Sequence, residues 1–252
     1  MTEVVTRSDR RGGAIVMIDS PSNRNALSRA VVEGTCSHLQ AARSDDSIRA
    51  VVLTGSGGTF CAGADLTDPP VSSGAGSFGE LLRLLWEYPK PLIVAVNGHV
   101  RAGGLGLVAC GDIVVCASPA TFAFSEVRIG VAPAMISVLC LRRMTPISSS
   151  RYMLTGEVFT ADDAFRAGLV TSMVSGSDLS ATVDGHLDDL ALCEPGALAA
   201  TRSLLREVPQ RGVVDGLAWA QEISAALFAS PAAAEGIAAF KGKRKPSWVA
   251  SH

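Results

Sequence analysis

Two stretches of small residues hold the chemistry this chain can perform. The first is F-C-A-G-A-D-L, Phe60 to Leu66; the second is H-V-R-A-G-G-L-G-L-V-A-C-G-D-I, His99 to Ile113. Each places small residues directly after an apolar run, where a ligand can approach the backbone and meet its N–H groups. Ala102-Gly103-Gly104-Leu105-Gly106 precedes the apolar helical run Leu107 to Cys110. Its glycines therefore sit at a helix N-terminus, with unpaired N–H groups and a dipole that favours negative charge. The same glycines would also suit close helix packing. Two N–H donors converging from separate loops make an oxyanion hole.

Competing chemistries lack their motifs. G-S-G-G-T-F at Gly55 follows a strand pattern, but its sixth position is Phe60, so the dinucleotide fingerprint G-x-G-x-x-G fails. There is no G-x-x-x-x-G-K-[ST] and no G-x-S-x-G elbow. His38, His99, His186 and His252 share no metal or triad spacing. The cysteines at 36, 61, 110, 116, 140 and 193 form no C-x-x-C pair, so a reduced, cytoplasmic protein without a metal site is expected. The net charge is −2 and no basic block appears before the last dozen residues, which argues against a nucleic-acid partner. No apolar run approaches the roughly 20 residues of a membrane span, and the first residues carry no signal-peptide core.

The elements that must position these stretches follow from periodicity. Ala14 to Asp19, Ile48 to Thr54, Leu92 to Asn97, Asp112 to Ala117 and Leu169 to Val174 are predicted strands; the Ile48 run is apolar enough for a sheet buried on both faces. Ser28 is a predicted N-cap for a helix to about Ala42, and Phe78, Leu81, Leu82 and Leu85 mark another helix face. Pro69 to Gly79 is a long polar loop with the composition of a lid. Thr160 and Asp163 form a capping-box pattern. From about Leu179 only helices are expected, including Pro195 to Glu207, Val213 to Ser230 and a last one opened by Ser230-Pro231. Strands alternating with helices early, and helices alone late, predict a parallel α/β core, residues 1–190, with a helical region over 191–252.

Five ordered segments make the reading specific: F-C-A-G-A-D-L, A-V-N-G-H-V-R-A-G-G-L-G-L-V-A-C-G-D-I, F-A-F-S-E-V-R-I-G-V-A-P, L-T-G-E-V-F-T-A-D-D-A-F-R-A-G-L-V and E-G-I-A-A-F-K-G-K-R-K-P-S-W. Together they resemble the enoyl-CoA hydratase/isomerase (crotonase) superfamily over nearly the whole chain. The resemblance implies a spiral of repeated β-β-α units with a C-terminal helical layer that assembles a trimer, or a hexamer of two trimers. It implies that the Ala64 and Gly103 N–H groups hold the thioester oxygen of an enoyl-CoA, beside Gly104. It places Arg24, Ala26, Ala62, Asp65 and Leu66 along the CoA path, and Phe240 and Lys243 near the adenine and phosphates, often from a neighbouring subunit. No separate cofactor is implied, because coenzyme A enters as part of the substrate.

Glu126 matches the family's second catalytic glutamate. Without that match it reads as an ion-pair partner of Arg128. Beside an acyl pocket its carboxyl would be desolvated and its pKa raised, as a general acid/base requires. Family hydratases usually carry another glutamate where this chain has Gly106, and a glycine there would leave room for a bulkier acyl group or an extra water. Hydration/dehydration across C2=C3 is the leading expectation, supported by a resemblance of S-E-V-R-I-G-V-A-P-A-M-I-S to hydratases of branched, methylglutaconyl-type substrates. Isomerisation by Glu126 alone is the first alternative and a non-catalytic acyl-CoA binding protein the second. Dehalogenation would need an Asp near Ala134, which the sequence does not provide.

Overall fold

The computed structural model describes residues 4–69 and 71–249; residues 1–3, Pro70 of the polar loop and residues 250–252, His252 among them, lie outside the described residues. The chain opens with β1 (Val5–Arg10) and β2 (Gly13–Ile18), paired antiparallel. After α1 (Arg29–Arg43) comes a threefold repetition of strand, short strand and helix. The first unit is β3 (Ala50–Gly55), β4 (Thr59–Cys61) and α2 (Phe78–Trp86). The second is β5 (Leu92–Val96), β6 (His99–Arg101) and α3 (Gly103–Cys110). The third is β7 (Ile113–Ala117), β8 (Thr121–Ala123) and α4 (Ala134–Cys140), with a 3-10 turn at Ser125–Ile129 between the last two.

The long strands build a six-stranded sheet and the short ones a four-stranded sheet, so the chain winds as a spiral. α5 (Pro146–Thr155), β9 (Phe159–Thr160), α6 (Ala161–Arg166) and β10 (Ser172–Val174) close the two sheets, whose orders are β1-β2-β3-β5-β7-β10 and β4-β6-β8-β9. From β2 to β10 the large sheet is parallel throughout. α7 (Leu179–Ala191), α8 (Pro195–Glu207), α9 (Val213–Phe228) and α10 (Pro231–Lys241) follow.

The apolar strands are explained by cover on both sides. Val51, Leu53, Val94 and Val114 face the main core with α1, α2 and α3, while Ala50, Val52, Ile93 and Val115 face Val183 and Leu187 of α7. Alternate residues thus serve opposite faces, and the one polar side chain of β3, Thr54, spends its hydroxyl on Ala95 O at 2.8 Å. β1 instead lies at the end of the sheet and carries charge. Arg7 pairs with Asp9 at 2.8 Å and with Asp45 at 3.0 Å, and Arg10 pairs with Asp184 of α7 at 2.8 Å.

Helix starts follow their caps. The side chains of Ser28, Ser77 and Ser230 accept from Val31, Glu80 and Ala233 N–H, and Thr160 with Asp163 forms the reciprocal box. α8 is fastened to the core by Arg202, 3% exposed, which donates to Asp112 at 2.6 Å, to Leu85 O at 2.9 Å and to Tyr88 O.

Candidate active site

The loop after β4 and the loop after β6 pack directly on each other. A Cβ placed on Gly63, whose φ is +93°, would lie 2.9 Å from Ala102 Cβ. Only glycine permits both that backbone angle and that approach. Leu27 N–H donates to Gly63 O at 2.7 Å, and Asp65 N–H donates to Leu27 O at 3.3 Å. In this parallel bridge the residue between them, Ala64, turns its own N–H away from Leu27.

Gly103 is the first residue of α3, so its N–H has no carbonyl four residues back within the helix. Among the described residues, no protein group accepts from the Ala64 or Gly103 N–H. Ala102, just before, sits at φ 46° and ψ −122°. L residues rarely adopt that conformation, which costs about 1–3 kcal/mol. Its N–H donates to Ala123 O at 3.0 Å and its carbonyl accepts from Leu105 N–H at 2.9 Å, so the turn is held from both sides.

Ala64 and Gly103 line one cavity of about 490 Å³ together with Glu126, Ala62 and Leu66. Pro69, Val71 and Ser72 of the polar loop form part of its wall, with Phe78, Met135 and Ile136 opposite apolar company. Glu126 is the sole charged residue among the lining residues. It stands in the 3-10 turn after β8, a segment anchored by Phe122 and Phe124, which stack on Phe159 with centroids 5.5 Å and 6.2 Å away.

The Glu126 carboxyl is half-buried, and its Oε2 has no hydrogen-bond partner. Burial raises its pKa above the ordinary 4.5. Arg128 does not neutralise it: the Arg128 Nε donates to Thr155 O at 3.3 Å instead. The geometry thus sets a partly desolvated carboxyl, with one oxygen unpartnered, in the same hollow as two main-chain segments with free donors.

The space beside Gly106 differs from the sequence expectation of room for a larger acyl group or a water. A Cβ on Gly106 would lie 2.5 Å from Ile136 Cγ2 and 3.3 Å from Leu82 Cδ2. Ile136, from α4, already fills that place and is 2% exposed. Gly106 is therefore a packing contact between helices rather than an opening.

The remaining sequence-predicted residues are distributed as follows. Gly104 is buried next to Gly103, Ala26 and Asp65 are chain neighbours of lining residues without lining the cavity themselves, and Arg24 is not among its lining residues. Asp65 accepts from Asn23 Nδ2 at 2.9 Å, Thr67 Oγ1 at 2.7 Å and Thr67 N–H at 2.9 Å, led by the Thr67 side chain, and its pKa falls to about 2. Phe240 is 85% exposed on α10, and Lys243 is exposed just beyond it; neither lines the cavity within one chain.

Sequence reading missed Asn25 and Ile136. Asn25 is buried in left-handed conformation, accepts from Ser20 N–H at 2.8 Å and donates to Thr59 O at 2.7 Å, tying the Arg24–Leu27 turn to β4. Two Asn within S-P-S-N-R-N could have signalled that turn. Nothing local announces Ile136, because its partner lies thirty residues earlier in the sequence.

Among the described residues no group of three or more His, Cys, Asp or Glu could hold a metal ion, and no single helix is long and apolar enough to cross a membrane.

A spiral of strand–strand–helix units around a cavity walled by two main-chain loops and one carboxyl is an architecture this chain shares with known proteins. The chain belongs to the enoyl-CoA hydratase/isomerase family, whose description matches residues 10–251. It is 33% identical over 254 residues to the 2,3-dehydroadipyl-CoA hydratase of Escherichia coli K12, covering 98% of this chain and 99% of that protein. It is 30% identical over 250 residues to the carnitinyl-CoA dehydratase of Proteus mirabilis, covering 94% and 95%. An enoyl-CoA hydratase structure from Mycobacterium smegmatis superposes with a TM-score of 0.89 at 28% identity, covering 97% and 98%. An enoyl-CoA hydratase/isomerase from Marinobacter aquaeolei gives 0.90 at 30% identity, covering 98% and 100%.

Proposed function

We propose that this chain adds water to, or removes it from, the C2=C3 bond of an enoyl-CoA. The carrying observation is the unpartnered, buried Oε2 of Glu126 in the cavity shared by Ala64 and Gly103. The Ala64 and Gly103 N–H groups hold the thioester oxygen as negative charge gathers on it. Glu126 takes a proton from water as the water oxygen bonds to C3, and the C=C electrons move toward the thioester oxygen. Glu126 then gives its proton to C2, and the enolate returns to a thioester. Dehydration runs the same steps backwards. The names of the two curated relatives, a hydratase and a dehydratase, support this reaction class.

One observation supports a second reading. With Ile136 filling the space beside Gly106, Glu126 is the single carboxylate on the cavity. Moving a proton from C2 to C4, which carries a C3=C4 bond to C2=C3, needs one base alone. Assay with crotonyl-CoA and with a 3-enoyl-CoA separates the two. Glu126→Gln should lower the operating turnover by about 10²–10⁴-fold, the usual contribution of a positioned acid/base. An unchanged rate in the variant removes Glu126 from the mechanism.

Arg24, Ala26, Asp65 and Leu66 lie on the approach for the CoA portion in this proposal, which needs no further cofactor. Phe240 and Lys243 act on a neighbour's CoA across a trimer or hexamer. Val213, Val214, Leu217, Phe228 and Phe240 are all at least two-thirds exposed, an apolar surface that association would cover. Light scattering that returns the mass of one chain would end the oligomer proposal.

A further inference from the structure

Three cavities follow one another along α2 and α4. The candidate active site shares Gly79 and Met135 with a groove lined by Leu82, Arg83, Val138 and Leu139. That groove shares Trp86 and Arg142 with a cavity of about 590 Å³. Gly79 to Trp86 advances seven residues along α2, roughly 10 Å, while Met135 lies on α4 and Arg142 in the turn just beyond its end. Apart from Arg142 at its far end, the groove walls are apolar save for Arg83, whose guanidinium is paired with Glu80 at 2.6 Å and Glu87 at 2.5 Å.

The far end is cationic. Four arginines, Arg142, Arg143, Arg202 and Arg206, line the last cavity against one acid, Asp112. Arg202 is paired with Asp112, while Arg143 and Arg206 donate to the carbonyls of Gly111 and Trp86. Arg142 stands where the groove enters. Its contacts are Val138 O at 3.3 Å, Gln210 Oε1 at 3.5 Å and the face of Trp86 at 5.9 Å, none of them an acid.

We infer that the groove takes the acyl tail of the substrate and that Arg142 binds a carboxylate at the tail's end. The inference rests on the acyl-CoA reading of the site and adds the class of acyl group. An extended chain advances about 1.2 Å per bond, so the groove holds roughly eight carbons beyond the reacting ones. The substrate is then an ω-carboxylated enoyl-CoA of about twelve carbons. A shorter charged chain would strand its carboxylate among apolar walls, which is costly without a cation; a methyl-ended chain would reach Arg142 without using it.

The test compares 2-dodecenedioyl-CoA with 2-dodecenoyl-CoA on the full-length chain, in turnover, and their saturated counterparts in calorimetric binding. The expected result is about a tenfold or greater preference for the carboxylated chain, the usual weight of a hydrogen bond to a charged group. Arg142→Gln should erase the preference and Arg142→Lys retain part of it, with thermal unfolding confirming that both variants fold. Equal rates and affinities for the two chain ends overturn the groove assignment, as does a preference that survives Arg142→Gln or a refusal of every twelve-carbon chain. If crotonyl-CoA is turned over while the chain ends are equivalent, the assignment fails alone. If no enoyl-CoA is turned over but binding still prefers the carboxylated chain through Arg142, the catalytic reading fails and the groove stands.

Discussion

Glu126 concentrates the cost and the use of the site in one side chain. Its carboxyl is half-buried with one oxygen unpartnered, and burial raises its pKa from 4.5. In the unfolded chain it titrates at the ordinary value. Between the two values the folded state holds more protons, so stability falls as pH rises through that window and stays lower above it. Glu126→Gln removes this titration. The melting temperature of the variant should therefore gain on the wild type as pH is raised from about 4 to about 8. A constant difference across that range would mean that the carboxyl is solvated as usual. The arginine two residues on was the obvious partner in the sequence, yet it donates to Thr155 O. Spacing brought the two charges close in number, and the 3-10 turn pointed them apart.

At the level of elements, α3 governs the site because its neighbours lean on its glycines. Gly106→Ala gains about 1 kcal/mol of helix propensity, but the new methyl meets Ile136 Cγ2 at 2.5 Å. Ile136 is buried and its Cβ also lies only 3.2 Å from the new methyl, so a rotamer change alone does not relieve the clash and overpacking of about 1–3 kcal/mol should win. Urea unfolding of Gly106→Ala, of Ile136→Ala and of the pair should show the double variant less destabilised than the sum; additivity would break the proposed contact. Apolar strands and amphipathic helices were legible, though the charged strand β1 was not: Ile48 to Thr54 and the Phe78, Leu81, Leu82, Leu85 stripe announce β3 and α2 by their patterns. β4, β6, β8 and β9 were not, since runs of two or three residues such as Thr59–Cys61 and Phe159–Thr160 carry no period. The glycines drew attention to the two loops, which pack on each other at Gly63 and Ala102, whereas the occupant beside Gly106 comes from a distant helix that no local pattern reveals.

For the molecule as a whole, Arg202 joins the C-terminal helices to the core. Its removal leaves Asp112 and the Leu85 and Tyr88 carbonyls without their donor. Arg202→Ala should cost about 3–5 kcal/mol, the usual consequence of breaking a buried pair, read by chemical denaturation; a loss under 1 kcal/mol would show that α8 is held by other contacts. The opposite flank of the molecule obeys a different logic. A sheet's last strand offers hydrogen bonds to any passing strand. Here that strand is fenced by Arg7, Asp9 and Arg10, each already matched to an opposite charge. A second chain adding itself there would have to strip water from those pairs. The sheet is thus terminated by electrostatics.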